Sequence, residues 1–363
     1  MEGAFHNDDA VLLAEVEKVL AARRRDGLEG LVGGLAAVLV TTAPEDLLPA
    51  AKELVGTTAL AQVAAFATDT ATCLVLRDGF GADFLLQVRQ GGDNPFTPYN
   101  HGAKTPPVVA GRLETFVYTC HDLDRYVALQ RKRGVTFLTA VPVVTDTYAF
   151  IQTAPSAHTG NSLGFIEWKG APGRFDHSAT RPLETVVPTP TNPWRAHIRG
   201  LDHVATRVRA RQRDAAILEF LALTNYRFAF AVYVDSLNSI TNVARLADGE
   251  YAQVFTSGIS PSDGDDPAQI GPTERFIRNY GLRPHHLAFN VTHIEEVVAG
   301  LGQAGLRFLS ELVGSREEGL KQIFSVMSPY SYLVNEYIQR YDDFDGFFTK
   351  SNVTRLTKAT EQQ

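Results

Sequence analysis

The chain has 363 residues, is 44% hydrophobic and 21% charged, and carries a formal charge of −7 at pH 7. That length suits two globular domains of roughly 150 residues each. Its 34 basic and 41 acidic residues form no long basic block, which excludes the electrostatic footprint of a nucleic-acid binder and leaves small molecules as the expected partners. Two cysteines, Cys73 and Cys120, exclude a disulfide framework and a Cys-rich zinc site; a single Cys73–Cys120 pair stays open. The N-terminus is acidic where a secretory signal is basic, and no apolar run approaches the roughly 20 residues of a membrane span. A cytoplasmic protein without a membrane partner is expected, and a homo-oligomer is left open. From Asp9 to Arg25, residues Val11, Leu12, Val16, Val19 and Leu20 recur at helical spacing, and the closing Arg23-Arg24-Arg25 reads as a solvated helix end.

Leu31 to Val40 predicts a strand and Glu45 to Val55 a helix. Glu114 to Thr119 is a further strand, followed by a helix, a glycine and a short Phe137-Leu138 strand. Between Arg181 and Trp194 the prolines are too dense for a helix or a central strand, so this stretch is the expected linker. Beyond it the pattern returns. Gly200 to Val208 is a strand with a helix near Arg213 to Leu223, and His286 to Val291 is a strand before a helix, a glycine and Phe308-Leu309. Aligning Cys120 with Val291 sets the two helices in register and places Thr115 opposite His286. Four strand–helix–three-strand units therefore make two pairs, each closing its curved sheets round a cavity. The expected class is α+β, with tandem modules forming two open barrel-like domains.

Three residues of the second half stand out: His203, His286 and Glu336, each in a short apolar run that reads as a strand. Two neutral imidazoles with one carboxylate form the facial triad of non-heme Fe(II) oxygenases, which leaves positions open for substrate and dioxygen. Alternation along a strand puts Ala205 on the face of His203 and Ala288 on that of His286, and turns His285 away. A lone histidine on an apolar strand is more often a hydrogen-bonded core residue, but these two occupy equivalent strands of repeated units. His121, His177 and His293 fall at helix starts or in loops, where exposure or capping is expected. In the first half Glu167 lies near the place of a glutamate ligand with no histidine beside it, and one carboxylate does not hold iron tightly. That half is expected to be non-catalytic.

On these residues the chain resembles the vicinal-oxygen-chelate superfamily, and within it the 4-hydroxyphenylpyruvate dioxygenase and hydroxymandelate synthase family. Asp202-His203, His286-Leu287-Ala288-Phe289 and Glu336-Tyr337-Ile338-Gln339-Arg340 resemble its ligand motifs; Leu237-Asn238-Ser239, Ala268-Gln269-Ile270, Gln322-Ile323-Phe324 and the stretch from Gly346 through Phe347, Phe348 and Asn352 to Val353 resemble its pocket and C-terminal helix motifs. The resemblance implies residues 1–26 as an N-terminal helix, 27–180 as a non-catalytic domain, 181–196 as the linker, 197–345 as the catalytic domain and 346–363 as a lid helix. It also implies Fe(II) held by His203, His286 and Glu336. Ser239, Gln253, Gln269, Gln322 and Asn352 are the implied polar contacts, with Phe324, Phe347, Phe348 and Val353 as walls and lid. The reaction implied is oxidative decarboxylation of a 2-oxo acid by dioxygen with hydroxylation of the same molecule.

Departures bear on the substrate. The family's long insertion between second histidine and glutamate is replaced by the short run from Phe308 to Gln322, His285 stands in place of a glutamine, and Val353 stands where hydroxyphenylpyruvate dioxygenases carry phenylalanine. The alternatives are an extradiol catechol dioxygenase, with His285 and Tyr330 or Tyr332 as its acid–base pair, and a non-catalytic protein that binds a small aromatic compound.

Overall fold

A computed structural model describes residues 5–105, 111–261, 270–342, 344 and 346–363, apart from the side chain at 362. Gln269 lies outside the described residues. The helices are α1 (Asp9–Arg25), α2 (Leu47–Thr57), α3 (Leu123–Lys132), α4 (Arg213–Leu223), α5 (Pro272–Tyr280), α6 (Ile294–Gln303) and α7 (Lys350–Ala359). The first sheet contains β1 (Val32–Thr41), β2 (Ala61–Ala67), β3 (Ala71–Arg77), β4 (Asp83–Arg89), β5 (Arg112–Cys120), β6 (Val143–Val144), β7 (Tyr148–Gln152), β8 (Ser162–Trp168) and β9 (Arg181–Pro182). The second contains β10 (Ile198–Arg207), β11 (Arg227–Val234), β12 (Ser239–Arg245), β13 (Ala252–Ser257), β14 (Pro284–Val291), β15 (Val313–Ser315), β16 (Leu320–Phe324) and β17 (Val334–Arg340).

The two sheets share one plan. Their strand orders are β6-β7-β8-β5-β1-β4-β3-β2-β9 and β15-β16-β17-β14-β10-β13-β12-β11. β9, at the start of the Pro-rich segment, adds an edge strand to the first, where its proline deprives no inner neighbour of a ladder bond. Even the irregularities repeat. The β1–β5 ladder slips between Leu35 and Ala37 and between Leu39 and Val40, and the β10–β14 ladder slips between Leu201 and His203 and between Ala205 and Thr206. Each bulge bends its strand and helps curl the sheet. The expected Phe-Leu strands reduce to single bridges, Phe137 to Thr153 and Phe308 to Ser325, because each chain makes one ladder pair and then turns.

Helices α1 to α4 and α6 contribute to one apolar core that both halves share, with Phe84 and Phe289 stacked at 6.1 Å and the Tyr118 ring edge-on to Phe220 at 5.9 Å. Asp8 caps α1 by accepting from Ala10 N–H, and Leu12, Val16 and Leu20 form its buried stripe. Arg23 continues that stripe, so only Arg24 and Arg25 of the basic triplet are solvated. Its guanidinium donates to the carbonyls of Leu221, Thr224 and Tyr226, where the end of α4 leaves acceptors without helical partners, and it pairs with Glu29. Cys73 and Cys120 are buried free thiols.

Inside the first curled sheet, Ala37, Phe66, Val75, Leu85, Val117 and Ile166 close on one another, with Phe150 and Trp168 packed against them. Inside the second, the apolar filling breaks into smaller clusters round His203, His286 and Glu336. Among the described residues no helix is long and apolar enough to cross a membrane.

Candidate metal centre

Register brings the three ligand candidates together. His203 on β10 lies opposite Ala288 on β14, His286 lies opposite Ala205, and Ala288 in turn lies beside Glu336 on β17. Each histidine thus faces the other strand's small alanine, which leaves the imidazoles room to converge. Glu336 Oε2 is 3.2 Å from His203 Nε2 and 3.3 Å from His286 Nε2. One ligand atom from each residue lies within 4.8 Å of the others, and all three residues are buried.

Neighbours fix which atoms face inward. Asp202 Oδ1 accepts from His203 Nδ1 at 2.7 Å, which leaves Nε2 to point at Glu336. Arg340 holds Asp202 in a fork, at 2.6 Å and 3.1 Å. On the other side His285 Nε2 donates to Gln363 Oε1 at 2.7 Å, so its Nδ1 accepts from His286 Nδ1 at 2.8 Å and the His286 Nε2 lone pair is freed. Gln322 Nε2 donates to Glu336 Oε1 at 2.5 Å while Asn352 Nδ2 donates to Gln322 Oε1 at 3.0 Å. The second carboxylate oxygen, Oε2, therefore turns to the histidines.

The electrostatics fit a cation. Burial opposes charge on the His203 ring, yet the carboxylates of Glu336 and Asp202 outweigh it and hold its pKa up at about 9. Burial, helped by charge on neighbouring groups, pushes His286 and His285 well below their usual range, which keeps both imidazoles neutral. His203 Nε2 lies 3.2 Å from Glu336 Oε2 but makes no hydrogen bond of proper geometry. A buried two-nitrogen, one-carboxylate donor set with an unsatisfied imidazole nitrogen fits a divalent metal.

Beside the ligands lies a cavity of about 40 Å³, lined in part by Gln322, Phe324, Phe348 and Val353. It holds a few waters at most. Phe324 packs on the His286 ring at 4.8 Å and Phe347 on His203 at 5.4 Å. Asn352 acts through Gln322. Ser239 is buried one pleat beyond Thr241 on the same face of β12 and is not among the residues lining this cavity.

Gln253 is not brought to the centre. It pairs with Val204, on the face of β10 away from His203, and donates to Thr206 Oγ1 at 3.2 Å. There it lines a separate cavity of about 450 Å³ between the halves. Glu167 is no ligand either. Its Oε2 accepts from Leu123 N at 2.7 Å and caps α3, as Gln339 Oε1 caps α6 through Ile294 N at 2.8 Å. By sheet register, Gly164 stands where Glu336 does. His121 and His293 are exposed, and His177 lies edge-on to Tyr148 in a loop. Sequence reasoning missed Arg207, Thr241 and Thr256, which also line the cavity. Counting by twos from His203 along β10 would have found Arg207.

No family model and no curated protein matches the chain. Among solved structures it is similar to a triply substituted 4-hydroxymandelate synthase from Streptomyces coelicolor, at 20% identity over 92% of this chain and 99% of that one, with a TM-score of 0.68. A fusion of a xylose isomerase-like TIM barrel with a 4-hydroxyphenylpyruvate dioxygenase is similar over 97% of this chain at 14% identity and a TM-score of 0.62; the chain spans 58% of that longer protein. BphC, a halotolerant catechol dioxygenase, is similar at 11% identity, over 87% of this chain and 90% of that one, with a TM-score of 0.52. With its twin curled sheets and shared strand plan, the chain has the tandem vicinal-oxygen-chelate fold.

Proposed function

We propose that the protein is an Fe(II)-dependent dioxygenase that oxidatively decarboxylates a 2-oxo acid and hydroxylates the same molecule. The observation that carries this reading is the buried donor set of His203, His286 and Glu336, two of which, His286 and Glu336, line a cavity. Iron bound there supplies dioxygen activation and a chelation site for the keto and carboxylate oxygens. The chain does the rest. Asp202 and His285 hold the two imidazoles, Gln322 holds the Glu336 carboxylate, and Phe324 and Phe348 exclude water from the reacting face. Helix α7 contributes Val353, Leu356 and Thr357 to the cavity wall and serves as its lid.

The extradiol alternative needs an acid–base pair beside the metal. Among the described residues the cavity is lined by no tyrosine and by no histidine other than His286; Tyr332 instead lies under the Arg283 guanidinium. A pure binding protein has no use for three converging ligands. The test is anaerobic loading with Fe(II), then oxygen uptake and carbon dioxide release with panels of 2-oxo acids and catechols. Uptake coupled to carbon dioxide release with a 2-oxo acid is expected. Uptake with catechols and no decarboxylation overturns the reading.

A further inference from the structure

Inward positions on β10 run His203, Ala205, Arg207. Arg207 is 4% exposed and lines the same cavity as His286 and Glu336. Its Nη1 donates to Thr273 Oγ1 at 2.8 Å and its Nη2 to Thr360 Oγ1 at 3.3 Å, while Nε has no partner. Among the described residues no carboxylate lies within ion-pair distance of it.

Other buried arginines differ. Arg23 pairs with Glu29 and Arg213 with Asp9, while Arg112 and Arg283 are spent on carbonyl oxygens away from the metal. Arg207 has two neutral hydroxyls and an open cavity in front of it. Burial pulls its pKa down to about 9, which leaves it protonated at neutral pH. A buried cation without a counter-charge is costly, and a ligand that supplies one gains a charge-assisted contact whose protein partner is already desolvated. Thr241 also lines this cavity, as does Thr256, whose buried Oγ1 has no partner.

We propose that the substrate carries a second anionic group, a carboxylate or similar oxyanion, at the end remote from the metal, and that Arg207 binds it. The proposal rests on the dioxygenase reading and specifies its substrate class. Four residues of strand separate the Cα atoms of His203 and Arg207 by roughly 13 Å. The guanidinium, anchored to α5 and to the turn after α7, faces the cavity from the end of β10 beyond His203, where the tail of a chelated molecule would lie. A phenol or alkyl tail leaves this charge unpaired.

The experiment measures dissociation constants by calorimetry on anaerobic Fe(II)-loaded protein. The probes are 2-oxoadipate against 2-oxohexanoate, 4-carboxyphenylpyruvate against 4-hydroxyphenylpyruvate, and 3,4-dihydroxybenzoate against catechol. At least one carboxylated 2-oxo acid is expected to bind about tenfold or more tightly than its uncharged-tail partner. Arg207→Met should abolish that preference while changing the partner's affinity less than about twofold, and Arg207→Lys should retain part of it. If carboxylated catechol alone shows the preference and Arg207→Met removes it, the anion contact stands and the 2-oxo acid reading fails. The proposal is overturned if neither class discriminates, or if Arg207→Met weakens charged and uncharged tails alike, which would place the guanidinium on the chelating head.

Discussion

The two halves share a backbone plan and differ in what their inner faces hold. Matched through strand register, His203, His286 and Glu336 correspond to Ala37, Thr115 and Gly164. The supporting residues change with them. Arg340 corresponds to Trp168 and Gln322 to Phe150, so aromatic rings fill the space that polar partners take in the second half. Features outside the barrels persist in both halves. Glu167 and Gln339 cap equivalent helices, and Ser156 bonded to Glu219 is matched by Ser328 bonded to Glu53. A scaffold can thus keep its caps and bulges while one inner face is rebuilt for chemistry.

The largest expected effect tests whether that face alone decides metal binding. Replacing His203, His286 or Glu336 by alanine should each abolish stoichiometric Fe(II) binding at micromolar concentration, read by metal analysis after gel filtration. The reverse graft, Ala37→His with Thr115→His and Gly164→Glu, should bind no metal. A Cβ at Gly164 would lie 2.8 Å from Phe150 Cε2, so the graft should also cost about 1–3 kcal/mol through overpacking. Tight binding by the graft would show that the supporting residues matter less than their geometry suggests.

Those supporting residues come next. Asp202→Asn and His285→Ala should each weaken metal affinity about 10–100-fold with the fold intact, by competition titration with a chromophoric chelator and circular dichroism. An effect below twofold would remove the second layer from the account. Smaller still is the cap: Glu167→Ala should cost about 1 kcal/mol in urea unfolding, while Glu167→Gln should stay close to the parent because Gln339 does the same work as an amide.

The smallest effect concerns Glu53. Burial raises its pKa above 4.5, with the Ser328 hydroxyl pulling the other way. The folded form therefore keeps this proton to higher pH than the unfolded form, so its contribution favours folding at low pH and is lost as pH rises through the raised value. Glu53→Gln should flatten the fall in urea midpoint between pH 4.5 and 7 and change stability at pH 7 by less than about 1 kcal/mol. An unchanged slope would assign that pH dependence elsewhere.

Much of the site was legible in sequence because strand alternation is local. Apolar runs with period two exposed His203, His286 and their alanines, and the repeat showed why only one half carries ligands. Long-range partners left no such trace. Asp202 and Arg340 lie 138 positions apart, and His285 meets Gln363 across 78. Gln253 was assigned to the pocket without regard to strand parity; pairing with Val204 turns it to the face away from His203. Glu167 was close to the ligand position in sequence but three residues from the register match at Gly164. Arg23 defeated a composition argument, since helical spacing carried it into the core in line with Leu20.

The attachment of α1 bears on how the chain acquires its structure. Asn7 donates to the carbonyls of Ala210 and Gly258, 203 and 251 positions downstream, and Asp9 bonds Arg213 and Tyr233. Arg23 meets carbonyls about as distant. During synthesis at roughly 5–20 residues per second, α1 waits on the order of ten seconds or more for its dock to leave the ribosome. Docking of α1 thus depends on α4 and the strands that follow it.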